Sequence, residues 1–144
     1  MFTHIMLGAR DLERQGRFYD AVLAPLGFSR NPHENGDDGG PAGIIWTAPG
    51  RRWPQFCVQH PWNGQPATAG NGVQVSFAAA SRAAVDAAWN LAIAHGGSDE
   101  GAPGLRPHYA PDYYGAYARD PEGNKLCFVH AGGLEAISSP PVET

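Results

Sequence analysis

Apolar and polar residues recur along this chain with two periods, and the switch from one to the other falls at regular places. A period near two predicts strands over residues 2–7, 43–48, 55–60, 73–78, 114–119 and 125–130. Helical spacing takes over after Asp11, where Leu12, Tyr19, Val22, Leu23 and Leu26 form one stripe. It does so again after Ser81, where Val85, Ala88, Trp89, Ala92 and Ile93 form another. Asp11 and Ser81 are favoured helix N-caps, because their side-chain oxygens can accept from free N–H groups of the first turn. Gly27 and Gly97 stand just past the predicted helix ends, where a left-handed residue is often required. At least one further short strand is expected after each helix. The Gly- and Pro-rich stretches 35–43 and 101–111 read as turns or loops.

These elements repeat. An offset of 70 residues carries His4-Ile5-Met6-Leu7 onto Gln74-Val75-Ser76-Phe77 and Asp11 onto Ser81. The same offset pairs Tyr19 with Trp89, Leu23 with Ile93, Gly27 with Gly97, Cys57 with Cys127 and His60 with His130. Each half therefore reads strand, capped helix, Gly stop and several short strands. The fold class is α+β: two βαβββ repeats whose curved mixed sheets, each with a helix on its outer face, surround a cup. Residues 1–131 are expected to form one domain, with repeat one at about 1–62, repeat two at about 71–131, and 132–144 as a C-terminal tail.

Composition narrows the function classes. With 144 residues there is room for one core. A net charge of −4 with mixed signs offers no basic stripe for phosphates, so nucleic acid is not an expected partner. No apolar run reaches the roughly 20 residues needed to cross a bilayer, and residues 1–7 do not resemble an export signal. A cytoplasmic protein without a membrane partner is expected, and its two cysteines, Cys57 and Cys127, are read as thiols.

The stretch Tyr117-Ala118-Arg119-Asp120-Pro121-Glu122-Gly123-Asn124-Lys125-Leu126-Cys127 places Asp-Pro and Gly in a tight turn between extended segments. It resembles the closing hairpin of the vicinal oxygen chelate superfamily, which holds the glyoxalases, bleomycin-resistance proteins and extradiol dioxygenases. The opening segment, with His4, Asp11-Leu12, Phe18-Tyr19 and Leu26-Gly27, is similar to that superfamily's first strand and helix. The resemblance implies a divalent metal (Zn, Fe, Ni or Mn), bound or lost, at positions that correspond to His4, Cys57, Gln74 and Cys127. The family pattern there is His or Gln on first strands and Glu on last strands. His108 and Tyr117 fall at the spacings of the His and Tyr that assist ring cleavage in the dioxygenases. Cys127 in place of the carboxylate, Gln74 in place of the second His, Ala116 and Arg106 all depart from that signature. Iron in a two-His, one-carboxylate triad retains only His4. The metal set named for this chain is His4, Gln74 and Cys127; adding Cys57 would give a zinc-type donor set, whereas both cysteines also fit as apolar fillers of the sheets.

The segment 101–114 concentrates further chemistry. Arg106 is positioned to pair with an anionic group, Tyr109 and Tyr113 to pack on an apolar or planar ligand, and His108 to accept or donate a proton; the alternative is a rigid Pro-rich loop covering the core. The leading reading is a protein that binds a small anionic or aromatic molecule in the cup, as a lyase or dioxygenase with a degenerate metal site. The alternative is a noncatalytic ligand-sequestering protein of the bleomycin-resistance type. A homodimer is expected, His60 and His130 are expected to face solvent, and Trp46, Trp53 and Trp62 are candidates for a partner-binding surface.

Overall fold

The structure is a computed structural model that describes residues 2–31 and 39–134. In chain order it has β1 (His4–Gly8), α1 (Leu12–Leu23), a 3-10 turn (Ala24–Leu26), β2 (Ser29–Arg30), β3 (Gly43–Thr47) and β4 (Gln55–Gln59) in the first half. The second half has β5 (Gln74–Ala78), α2 (Arg82–Ala94), β6 (Ser98–Leu105), β7 (Tyr114–Arg119) and β8 (Lys125–His130). Two four-stranded mixed sheets result, with orders β1-β4-β3-β2 and β5-β8-β7-β6. This is the expected α+β architecture of two βαβββ units. The expected loop at 35–43 falls partly, and the tail at 132–144 mostly, outside the described residues.

The offset of the repeat survives in the pairing register. In the first sheet Met6 faces Cys57, and in the second Ser76 faces Cys127. Both caps form as the sequence implies: Asp11 Oδ1 accepts from Arg14 N at 3.0 Å, and Ser81 Oγ accepts from Ala84 N at 3.1 Å. His60 and His130 also keep the symmetry, but not the expected exposure. Each is half-buried, and each Nδ1 lies against the carbonyl of an equivalent residue, Ala9 at 2.9 Å and Ala79 at 2.8 Å.

One continuous core joins both halves. Alternate residues of the sheets (Ile44, Trp46, Phe56 and Val58; Val75, Phe77, Ala116, Leu126 and Phe128) pack with Phe18, Tyr19, Val22 and Leu23 of α1 and with Val85, Ala88 and Ala92 of α2. Phe56 lies 4.9 Å from the Tyr19 ring and 5.2 Å from Phe77, so the aromatic contacts cross from one repeat to the other.

Four local expectations are corrected. Trp46 is fully buried, because Asp20, held by Arg30 at 2.7 and 2.8 Å, accepts its indole N–H at 3.0 Å. Ile93 is exposed, so the buried stripe of α2 is narrower than its apolar residues suggest. The left-handed residue after α2 is Gly96 (φ 95°), not Gly97. Gly97 is required for a different reason: a Cβ there would lie 2.5 Å from Arg119 O and 2.7 Å from Ala92 O. Finally, the Gly- and Pro-rich run expected to be a loop from residue 101 is strand as far as Leu105. It is tolerated because β6 is an edge strand whose register shifts twice, between Asp99 and Gly101 and between Gly101 and Gly104.

The Asp120-Pro-Glu-Gly turn does more than reverse the chain. Asp120 Oδ2 accepts from Gln15 Nε2 at 2.8 Å, from the Tyr19 hydroxyl at 2.7 Å and from Asn124 Nδ2 at 2.8 Å. Its Oδ1 accepts from the backbone N–H groups of Glu122 and Asn124. Glu122 accepts from the backbone of Arg10 and Asp11 at 2.7 and 2.9 Å, satisfying N–H groups at the start of α1. A hairpin of the second half thereby holds the helix of the first.

Candidate functional site

Strand alternation leaves each sheet a second face, opposite the one that enters the core. On the first sheet, β1 and β4 present His4, Met6, Gln55, Cys57 and Gln59 on that face, with His4 across from Gln55. A cavity of about 220 Å³ lies over it. His4 Nδ1 is within 2.9 Å of Thr3 Oγ1.

On the second sheet the equivalent face is occupied by phenols. Tyr117 of β7 faces Cys127 of β8, and its ring lies 5.7 Å from the Arg106 guanidinium carbon and 5.6 Å from Lys125 Nζ. The Tyr113 hydroxyl is 3.5 Å from Cys127 Sγ, and the Tyr109 ring packs 5.1 Å from that of Tyr113. These tyrosines, with Gln74, Glu100, Arg106 and Lys125, line an open cavity of about 410 Å³, and the Glu100 carboxylate is paired with Arg119 at 2.6 Å. Arg106 is oriented by its own strand, donating to Ala102 O at 2.8 Å. Burial raises the pKa of Tyr113, and its hydrogen bond to Cys127 raises it further; burial likewise raises that of Tyr117. Both phenols therefore stay protonated at neutral pH and serve as hydrogen-bonding groups rather than bases.

Of the sequence-derived site residues, the structure brings together Arg106, Tyr109, Tyr113, Tyr117 and Gln74, with Cys127 beneath Tyr113. It does not bring in His108, which is exposed, lies tilted against the Tyr109 ring at 4.2 Å and does not line the cavity. The metal positions divide between the sheets: His4 and Cys57 on the first, Gln74 and Cys127 on the second. Among the described residues no three His, Cys, Asp or Glu side chains converge in a metal-holding group. The donors are not presented as an open set either. Cys127 is fully buried with its sulfur against Tyr113, and the Gln74 amide donates to Ser76 Oγ at 2.9 Å. One imidazole, one amide and two covered thiols fit a catalytic ion poorly within one chain.

Lys125 was missed in the sequence reading because it sits beside a turn, where a charged residue is unremarkable. Gln55 and Gln59 were also missed, although Gln-x-Cys-x-Gln along one strand already puts three polar or polarizable groups on one face.

Comparisons with known proteins agree with this architecture. The family model described as Glyoxalase/Bleomycin resistance protein/Dioxygenase superfamily matches residues 1–128. A solved glyoxalase/bleomycin resistance protein from Albidiferax ferrireducens T118 is 39% identical, covers 91% of this chain and 98% of its own, and has a TM-score of 0.75. A lactoylglutathione lyase from Agrobacterium tumefaciens shares the fold at 21% identity, with 94% and 98% coverage and a TM-score of 0.62. So does a glyoxalase/bleomycin resistance protein/dioxygenase family enzyme from Burkholderia phytofirmans PsJN, at 19% identity, 89% and 96% coverage and a TM-score of 0.66. No curated protein matches the chain.

Proposed function

The chain belongs to the glyoxalase/bleomycin resistance protein/dioxygenase superfamily, and we propose that it binds a small anionic aromatic molecule over the second sheet. The observation that carries this reading is the convergence of Arg106 and Lys125 with Tyr109, Tyr113 and Tyr117 on one open cavity. Two cations offer charge to a carboxylate or similar group, and three phenol rings offer flat apolar area with hydroxyl groups at the edges. Such a site can hold and orient a ligand.

The noncatalytic, sequestering reading is favoured over a lyase or dioxygenase by one specific observation. His108, the imidazole matched to proton transfer, does not line the cavity, while burial raises the pKa of two of the three phenols that do, Tyr113 and Tyr117. A divalent ion is the condition on which the catalytic reading depends. The protein is expected to retain no stoichiometric Zn, Fe, Ni or Mn after repletion and dialysis, as measured by elemental analysis; one ion per chain, lost in His4→Ala, would restore that reading.

Two copies are proposed to pair. In one chain the first-sheet and second-sheet faces line separate cavities, and apolar side chains of Phe2, Ile5, Met6 and Val73 are exposed on or beside the edge strands β1 and β5. Sedimentation should give a dimer mass. Neither nucleic acid nor membrane is a proposed partner, and no helix among the described residues is long and apolar enough to cross a bilayer.

Isothermal titration with 2-naphthoate tests the site. Saturable binding should weaken about tenfold or more in Arg106→Ala, the scale of losing a charge-assisted hydrogen bond. No binding, or equal affinity in wild type, Arg106→Ala and Lys125→Ala, would refute the proposal.

A further inference from the structure

The edge strand β6 brings charges of both signs to the second-sheet cavity. From Asp99 to Gly101 it advances two residues while β7 advances one, from Ala118 to Tyr117, so Glu100 is the extra residue of a β-bulge. In a regular ladder only one residue would stand opposite Tyr117. Here Gly101 takes that place, and Glu100 beside it still lines the cavity. Asp99 pins the bulge, its Oδ1 accepting from Gly101 N at 2.7 Å. Two glycines then leave room for Arg106. A Cβ at Gly101 would lie 3.1 Å from Tyr117 Cδ2 and 3.3 Å from Arg106 Nη2, and one at Gly104 would lie 3.1 Å from Arg106 Nη1. The Arg106 side chain thus folds back over two residues without side chains, and its guanidinium reaches the residue next to Glu100.

These charges are not equivalent. Arg106 donates to Ala102 O at 2.8 Å and lies over the Tyr117 ring, and Lys125 lies near the same ring, so both cations are left to meet an anion. Glu100 is engaged on one side: its Oε1 accepts from Arg119 Nε at 2.6 Å, and Arg119 donates from Nη1 to Gly123 O at 2.9 Å. Its second oxygen, Oε2, has no hydrogen-bond partner among the described residues. A carboxylate only accepts, so a plain aromatic acid would cover that oxygen and offer it nothing. An ammonium group would be drawn to it but would also meet the repulsion of Arg106, Lys125 and Arg119. We propose that the ligand is an aromatic acid whose ring also bears an uncharged hydrogen-bond donor, an amino or hydroxyl group, and that Glu100 selects it. This rests on the anionic-aromatic reading of the same cavity and adds a second recognition point to it: the acid meets Arg106 and Lys125, and the donor meets Glu100 Oε2.

The test is isothermal titration with 2-naphthoates that differ only in the substituent at ring position 6. The 6-amino and 6-hydroxy acids offer a donor, whereas 6-methyl-2-naphthoate has similar bulk and none. At least one donor-bearing acid should bind about threefold to tenfold tighter than the methyl compound, the scale of one hydrogen bond. Which of the two gains identifies the donor. In Glu100→Ala that advantage should vanish. Glu100 is exposed on an edge strand, so its replacement leaves the core untouched, and the ligand series on the wild-type chain needs no variant at all. Equal affinity of the three acids, an advantage that persists in Glu100→Ala, or tightest binding by the cationic 6-aminomethyl acid would overturn the proposal. Each of those results leaves the anionic-aromatic site standing. Failure of all four acids and of 2-naphthoate itself to bind would overturn both.

Discussion

Replacing Asp120 tests the clamp between the two halves most sharply. Its carboxylate accepts five hydrogen bonds, from Gln15 Nε2, the Tyr19 hydroxyl, Asn124 Nδ2 and the N–H groups of Glu122 and Asn124. Asp120 is 3% exposed, and Gln15 and Tyr19 are fully buried. Alanine would leave at least two buried donors without a partner, at about 1–3 kcal/mol each, so a loss of about 3–5 kcal/mol is expected, on the scale of breaking a buried polar network. For a chain of this size that corresponds to a fall in Tm of roughly 10–15 °C. Asparagine discriminates the mechanism. All five partners are donors, so an amide would accept at one oxygen and turn its own N–H groups toward others, giving a loss near that of alanine. Urea unfolding of wild type, Asp120→Ala, Asp120→Asn, Tyr19→Phe and the double variants would measure this. In the cycle, Tyr19→Phe should cost about 1–2 kcal/mol alone and nothing further beside Asp120→Ala. An Asp120→Asn protein within about 1 kcal/mol of wild type would refute the argument that a shell of donors requires a carboxylate.

Three further outcomes follow from the packing. Tyr19, Tyr113, Tyr114 and Tyr117 all have raised pKa values, Tyr19 through burial first and Asp120 second. Their stabilisation is complete below the unfolded phenol value of about 10 and is lost as pH climbs beyond it; Tm measured across that range should fall less steeply in Tyr19→Phe, and an identical slope would count against the assignment. Gly97→Ala should cost about 1–3 kcal/mol or more, because the added methyl meets two backbone carbonyls that cannot step aside, and a neutral result in denaturant titration would contradict the geometry. His60→Ala and His130→Ala should each cost about 1 kcal/mol and add in the double variant, since the two rings serve separate halves; strong coupling would show that they are not independent.

What the sequence made legible was local. Caps at Asp11 and Ser81 and the Gly27 stop depend on neighbours a few residues away, the repeat offset is a regularity of the sequence itself, and all reappear in the structure with the cysteines in register. What it hid depends on distant partners. Trp46 looked suited to a surface because nothing nearby in sequence announces Asp20 as its acceptor. The difference between Gly96 and Gly97 is one of backbone angle against close approach, and the second is set by Arg119 on another strand. Arg106, Tyr109 and Tyr113 could be grouped because one segment carries them. Lys125 joins them only through the pairing of β7 with β8, and His108, from the same segment, does not line the cavity. The first-sheet lining lay across β1, β4 and the turns around Trp53 and Trp62, so no single stretch revealed it.

The contacts of Glu122 and Asp120 with α1 bridge sequence separations of 112, 111, 105 and 101 residues. During synthesis, the first helix is therefore left with incomplete hydrogen bonding until nearly the whole second repeat has been made. The halves are alike in plan but not independent, and an isolated first repeat would leave the Tyr19 hydroxyl, the Gln15 amide and the N–H groups of Arg10 and Asp11 without these acceptors. Folding must close its longest loops to gain this stability, a topology associated with slow, cooperative assembly rather than with stepwise addition of repeats.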